Sequence, residues 1–233
     1  MIQKNPIVNE IGAVLFDMDG VLLDSEPLHD IVVSEVCRKF GRDVDRSKLG
    51  QYVGTSSLEM WTEMRVDFDI DADVDTLVNM QWETIIEMLD TSGIGPSVGL
   101  IELMEELYER GVYMAIASSS REDFIEAVMD HLGIRKYISE VTQGFEVEHG
   151  KPEPDIYLLA AKKAGVLPAN CLVIEDSTAG VGAGVAAGMY TIGYDNPTSN
   201  GQDIAKADMI VDSLTEIMDI VRPHLRPGQL ADD

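Results

Sequence analysis

Apolar residues fall into two rhythms along the chain. Short, largely apolar runs occur at 13–16, 112–117, 171–174 and 190–192, each bounded by polar or glycine-containing sequence. Between them apolar positions recur every three or four residues. Leu100, Leu103, Met104 and Leu107 form one stripe, and Phe124, Ile125, Val128, Met129 and Leu132 form another. The short runs predict strands buried on both faces, and the stripes predict amphipathic helices. Strands that alternate with helices of this length imply βαβ units and a parallel sheet. Two more strands are expected at 140–142 and 209–211, and a last helix at 214–221.

The alternation breaks once. From 27 to 89 the helical spacing persists, with helices expected at 28–40, 57–64 and 74–89 and no run that reads as a strand. The stretch Thr91-Ser92-Gly93-Ile94-Gly95-Pro96 is a linker by composition. The expected organisation is therefore a discontinuous α/β core, residues 1–25 and 95–233, interrupted by a helical insertion at 26–94. The tail, 223–233, carries little apolar content and is expected to be loose.

Composition narrows the partners. With 17 basic and 42 acidic residues the formal charge is −25, a surface that repels nucleic-acid phosphates and anionic membranes. A small anionic substrate stays admissible, because a bound metal ion can reverse the local field. Cys37 and Cys171 lie far apart without metal-ligand spacing, which fits a reducing cytoplasm better than a disulfide framework. No apolar stretch has the length of a signal peptide core or a membrane helix. The expectation is a cytoplasmic monomer acting on a small molecule.

Candidate chemistry collects at strand ends. The run 13–16 leads into Asp17-Met18-Asp19-Gly20, the run 112–117 into Ser118-Ser119-Ser120, and the run 171–174 into Glu175-Asp176-Ser177. In a parallel sheet these ends share one edge, where open α/β folds bind ligands. Asp17 and Asp19, with Glu175 and Asp176, would bring several carboxylates together. Such a group needs a cation or a shared proton, and its all-oxygen chemistry suits Mg2+. Taken alone, Asp-x-Asp-Gly serves equally as a turn with a helix cap. Gly20 would allow a sharp turn and offer its N–H. Ser118 could bind phosphate oxygens at a helix start while a later serine caps that helix. Lys151, in Gly150-Lys151-Pro152-Glu153-Pro154, could neutralise a transferring phosphoryl group, although a loop lysine is more often simply solvated. The glycines Gly182 and Gly184 loosely fit a dinucleotide-binding pattern but come too late after the strand, and close helix–sheet packing explains them better.

Together these segments resemble the haloacid dehalogenase superfamily. Asp17-Met18-Asp19-Gly20-Val21-Leu22-Leu23-Asp24-Ser25 is similar to its first motif, Ser118 to the second, Lys151 to the third and Glu175-Asp176 to the fourth, in the right order. Within the superfamily the chain most resembles the β-phosphoglucomutase and phosphoglycolate phosphatase-like subgroup. The resemblance implies a Rossmann-like parallel core with an α-helical cap. It also implies a nucleophilic Asp17, an acid/base Asp19, and Mg2+ held by Asp17, Asp176 and the carbonyl of Asp19, with Glu175 in support. Ser118, Ser119 and Lys151 would hold the phosphoryl oxygens, and Asp24, His29, Gly54, Ser57 and Arg121 match substrate-side positions. The subgroup's mutases carry an arginine where Ser57 aligns. Over 52–94 the only basic residue is Arg65, against ten acidic ones. A phosphatase for monophosphates with a neutral leaving group, such as sugar or polyol phosphates, is the leading expectation. A sugar-phosphate mutase is the second, and a non-catalytic phospho-metabolite-binding protein the third.

Overall fold

The computed structural model describes residues 2–7, 10–45, 48–49, 52, 57–198 and 201–225, with the side chains of Gln3 and Glu26 left aside. In chain order its elements are β1 (Ile2–Gln3), β2 (Ala13–Phe16), α1 (Glu26–Lys39), α2 (Ser57–Asp67), α3 (Val74–Leu89), α4 (Leu100–Glu109), β3 (Tyr113–Ser118), α5 (Glu122–His131), β4 (Glu140–Gln143), α6 (Asp155–Ala164), β5 (Cys171–Glu175), α7 (Thr178–Ala186), β6 (Tyr190–Tyr194), β7 (Met209–Val211) and α8 (Ile217–Val221). The fold is α/β. The sheet runs β1-β7-β6-β5-β2-β3-β4; β2 to β7 are parallel, and β1 adds an antiparallel edge that the sequence pattern did not reveal.

Every residue of β2 and β5 is buried, as unbroken apolar runs at the centre of a parallel sheet require. Alternate residues Ala13 and Leu15, Ala115 and Ala117, and Cys171 and Val173 meet Ile156, Tyr157, Ala160 and Ala161 of α6 and Ala183 of α7. Small residues let α7 approach closely: a Cβ on Gly184 would stand 2.6 Å from Thr191 Oγ1 and 3.1 Å from Val173 Cγ1. The glycines that loosely fit a dinucleotide motif therefore sit inside α7 and serve packing.

Several boundaries differ from the sequence reading, among them α1, Glu26–Lys39 rather than 28–40, and α2, which runs on to Asp67 rather than 64. β3 begins at Tyr113 rather than at 112, because the Val112 N–H closes the turn after α4 by donating to Leu107 O at 3.0 Å. Ser118, paired in register with Gln143, is the last residue of β3 rather than the first residue beyond the strand. The last helix opens as a 3-10 turn, Leu214–Glu216, before α8, with Ser213 accepting from the Thr215 N–H.

The chain divides into two compact units, Met1–Asp24 with Gly95–Asp233, and Ser25–Ile94. The second is helical: α3 packs on both α1 and α2, burying Leu28, Val32, Trp61, Met64, Leu77 and Ile85. Its one fully buried indole is satisfied, Trp61 Nε1 donating to Gln81 Oε1 at 2.8 Å. No strand occurs in this unit among the described residues, and no helix there or in the core is long and apolar enough to cross a membrane.

Candidate active site

The registers of β2, β3 and β5 decide which side chains meet. Phe16 lies level with Ile116 and with Ile174, so the residues that follow, Asp17, Ser118 and Glu175-Asp176, emerge at one sheet edge. The Asp17 N–H continues the ladder to Ile174 O at 3.0 Å, which fixes the nucleophile candidate on the sheet rather than on a free loop. The chain then turns tightly. Gly20 has φ +81°, its N–H donates to Leu23 O at 2.8 Å, and a Cβ there would fall 2.0 Å from Asp176 Oδ2. Only glycine combines that backbone with that space. Asn196 closes the turn from beyond β6, its Nδ2 donating to Gly20 O at 3.0 Å.

At the centre is the Lys151 ammonium. It donates to Asp17 Oδ1 at 2.5 Å, Glu175 Oε1 at 2.7 Å and Ala117 O at 3.1 Å. Ligand atoms of Asp17, Glu175 and Asp176, all three buried, lie within 4.8 Å of one another. Burial pushes the Asp17 carboxyl well above its ordinary range. Glu175 adds to the shift, Lys151 opposes it, and Asp176 and Asp19 reinforce it. Burial alone would lower the Lys151 pKa, but Asp17 and Glu175 outweigh it and hold the ammonium firmly protonated. The cluster is thus short of positive charge, its donors are all oxygen, and Gly20 lets the Asp176 carboxylate lie directly against the turn. These residues fit a hard metal ion. Both oxygens of Glu175 are engaged by protein donors: Oε1 by Lys151 and Tyr157, Oε2 by the Ser177 N–H and Oγ.

Asp19 joins the site from its other side. Its Oδ2 accepts from Ser120 Oγ at 2.6 Å, and the Ser120 N–H donates to Ser118 Oγ at 3.1 Å. Ser118 is buried. Ser119 is exposed beside Gly144. The expectation that a later serine caps the following helix is corrected: the residue before α5 is Arg121, with no side-chain cap, and Ser120 is spent on Asp19 instead. Arg121 pairs with Asp123 at 2.6 Å. Asp24 Oδ1 is buried with no hydrogen-bond donor. His29 and Ser57 belong to the helical unit. His29 stands edge-on to Trp82 at 6.0 Å between ring centroids, and Ser57 opens α2. Gly54 lies outside the described residues. Sequence reasoning missed Tyr157 and Asn196. It saw Ser120 only as a cap.

The family model for haloacid dehalogenase-like hydrolases matches residues 14–194. The chain belongs to this family. Fructose-1-phosphate phosphatase YqaB of Escherichia coli is 33% identical over 78% of this chain and 95% of that protein. Hexitol phosphatase A of the same organism is 31% identical over 90% and 94%. A solved structure of a putative β-phosphoglucomutase from Thermotoga maritima is 26% identical, with TM-score 0.80, over 91% of this chain and 99% of that one. The bifunctional riboflavin kinase/FMN phosphatase of Arabidopsis thaliana is 31% identical over 93% of this chain, which spans 57% of that longer protein.

Proposed function

We propose that this protein is a Mg2+-dependent phosphatase that hydrolyses small phosphorylated metabolites through an aspartyl-phosphate on Asp17. The observation that carries the reading is the Lys151 ammonium seated between Asp17 and Glu175, with Asp176 in the same carboxylate cluster. Asp17, Asp176 and the backbone carbonyl of Asp19 would hold the ion, with Glu175 behind them. When bound, Mg2+ would supply the charge that neutralises the phosphoryl oxygens and the clustered carboxylates.

The chain's own residues then divide the work. An Asp17 oxygen attacks phosphorus as the bond to the leaving oxygen breaks, and Asp19 gives that oxygen its proton. Asp19, now ionised, takes a proton from water as the water attacks the aspartyl-phosphate, freeing Asp17 and inorganic phosphate. Ser118 and Lys151 hold the phosphoryl oxygens, Lys151 most strongly as charge builds on them in the transition state. In the present structure the Asp19 carboxylate is retained by Ser120, within reach of this edge of the site.

We read Ser25–Ile94 as the cap that selects the leaving group. Among the described residues three of its cations are engaged within the unit: Arg38 pairs with Glu35, Arg42 with Asp69 at 2.7 Å, and Lys39 donates to Thr84 at 3.1 Å. A second anionic group on the substrate would find few partners there, at a cost of about several kcal/mol if buried. Sugar and polyol monophosphates are therefore the favoured substrates, and the two Escherichia coli relatives named for such compounds support this. The likeness to the putative β-phosphoglucomutase favours a mutase as the second reading.

The test is phosphate release from fructose 1-phosphate, a hexitol phosphate, β-glucose 1-phosphate and phosphoglycolate, with Mg2+ and with EDTA. The expected result is turnover of the neutral-leaving-group substrates, abolished by EDTA and lowered at least ~10³-fold by Asp17→Asn. Near-normal rates for Asp17→Asn would end the mechanism. Preference for phosphoglycolate would end the charge argument, and conversion of β-glucose 1-phosphate to glucose 6-phosphate would establish the mutase.

A further inference from the structure

We propose that Tyr157 is a positioning residue for phosphoryl transfer: its buried hydroxyl fixes the Glu175 carboxylate and, through it, the Lys151 ammonium that meets Asp17. The inference rests on the roles proposed above for Asp17 and Lys151.

An ammonium has three N–H donors, and Lys151 has three acceptors: Asp17, Glu175 and the carbonyl of Ala117. The Tyr157 ring lies close by, its centroid 5.1 Å from Nζ. Of the three acceptors, the Ala117 carbonyl belongs to the β3 backbone, and Asp17 is the group that changes covalently during turnover. Glu175 is the side-chain acceptor that persists through the cycle. Where its carboxylate points therefore decides where a flexible four-carbon stem places its charge.

Glu175 is wholly buried, and the two halves of its carboxylate are held differently. Oε2 accepts from Ser177, two residues away, a local contact that comes with the turn into α7. Oε1 is shared by Lys151 and by Tyr157 Oη, which donates at 2.8 Å from α6. A Cβ on Gly180 would stand 1.7 Å from the same oxygen, so the carboxylate is also walled in by α7. Tyr157 is six residues beyond Lys151 and near the start of α6, so the turn that delivers the lysine also delivers its support. Without the hydroxyl, Oε1 keeps Lys151 alone, and an undivided buried carboxylate draws the ammonium toward itself and away from Asp17. The loss falls on the transferring phosphoryl group, whose charge the ammonium must meet in the transition state, and leaves ground-state binding of the ester little changed.

The experiment uses the full chain with Mg2+ and compares wild type, Asp17→Asn and Tyr157→Phe. It measures p-nitrophenyl phosphate hydrolysis, calorimetric binding of orthovanadate and the melting temperature. Activity in Asp17→Asn strikes the proposed function itself, whereas the Tyr157→Phe results bear on this inference alone. Tyr157→Phe keeps the ring and its packing. The expected outcome is a kcat loss of about 10- to 100-fold, as for other residues that orient a catalytic group. Orthovanadate binding should weaken by the same factor while KM stays within about twofold. A kcat within about twofold of wild type overturns the proposal, whatever the melting temperature does. So does a kcat loss that leaves orthovanadate affinity unchanged.

Discussion

Replacing Lys151 with Met keeps most of the apolar stem and removes the ammonium from between two buried carboxylates. The side chains of Lys151, Asp17 and Glu175 are 10%, 12% and 0% exposed, so solvent screening does little to soften the change. Removing one partner of such a pair costs about 3–5 kcal/mol. For a chain of this size each kcal/mol is worth ~2–4 °C, so the metal-free variant should melt ~6–20 °C below wild type near pH 7.5. The pH dependence follows from Asp17. Its carboxyl is already raised by burial and then by Glu175, with Lys151 the opposing influence, and losing the lysine raises it further. A carboxyl whose folded pKa lies above its unfolded value contributes stability that is fully present below the unfolded value and is lost as pH rises through the folded one. The gap between variant and wild type should therefore be small near pH 5 and widen toward pH 8.5. Circular-dichroism melts in EDTA across that range read it directly, and millimolar Mg2+ should narrow it. A gap that does not change with pH, or a variant within about 2 °C of wild type at pH 7.5, would refute the charge argument.

Two further perturbations test the core and the surface. Gly184→Ala places a Cβ 2.6 Å from Thr191 Oγ1 and 3.1 Å from Val173 Cγ1, so overpacking should cost about 1–3 kcal/mol and lower the melting temperature by ~2–12 °C. An unchanged melt would mean that α7 can lift from β5 and β6 freely. With a net charge of −25, the folded chain repels itself, and raising KCl from roughly 0.05 to 1 M shortens the Debye length to ~3 Å and should raise the melting temperature by at least ~5 °C. A melt that is flat or falling over that range would show that the acidic surface carries no folding penalty.

The sheet and the motifs at its strand ends were legible because the signals that define them are local. A four-residue apolar run such as Ala13–Phe16, alternating with helical stripes, fits the centre of a parallel sheet, and the residues that follow it then emerge at the ligand-binding edge. Asp17, Ser118 and Asp176 could be named on that basis, and Lys151 from its Gly-Lys-Pro-Glu-Pro turn and the family resemblance. Boundaries were less legible, because a single hydrogen bond decides them: Val112 is apolar enough for a strand, yet its N–H is taken by Leu107 O. The roles of hydroxyls were least legible. Ser120 looks like any serine before a helix, and only its 2.6 Å contact with Asp19, 101 residues away in sequence, separates holding the proposed acid/base from capping. Tyr157 reads as an ordinary core aromatic on the stripe of α6, and its sequence neighbourhood contains nothing that points to Glu175. The charge balance of the helical unit shows the same division from the other side. That acids outnumber bases over 52–94 is a property of composition. That Arg42 is occupied depends on a partner 27 residues distant, and only such pairing turns a count of charges into an argument about which substrates a cap can accept.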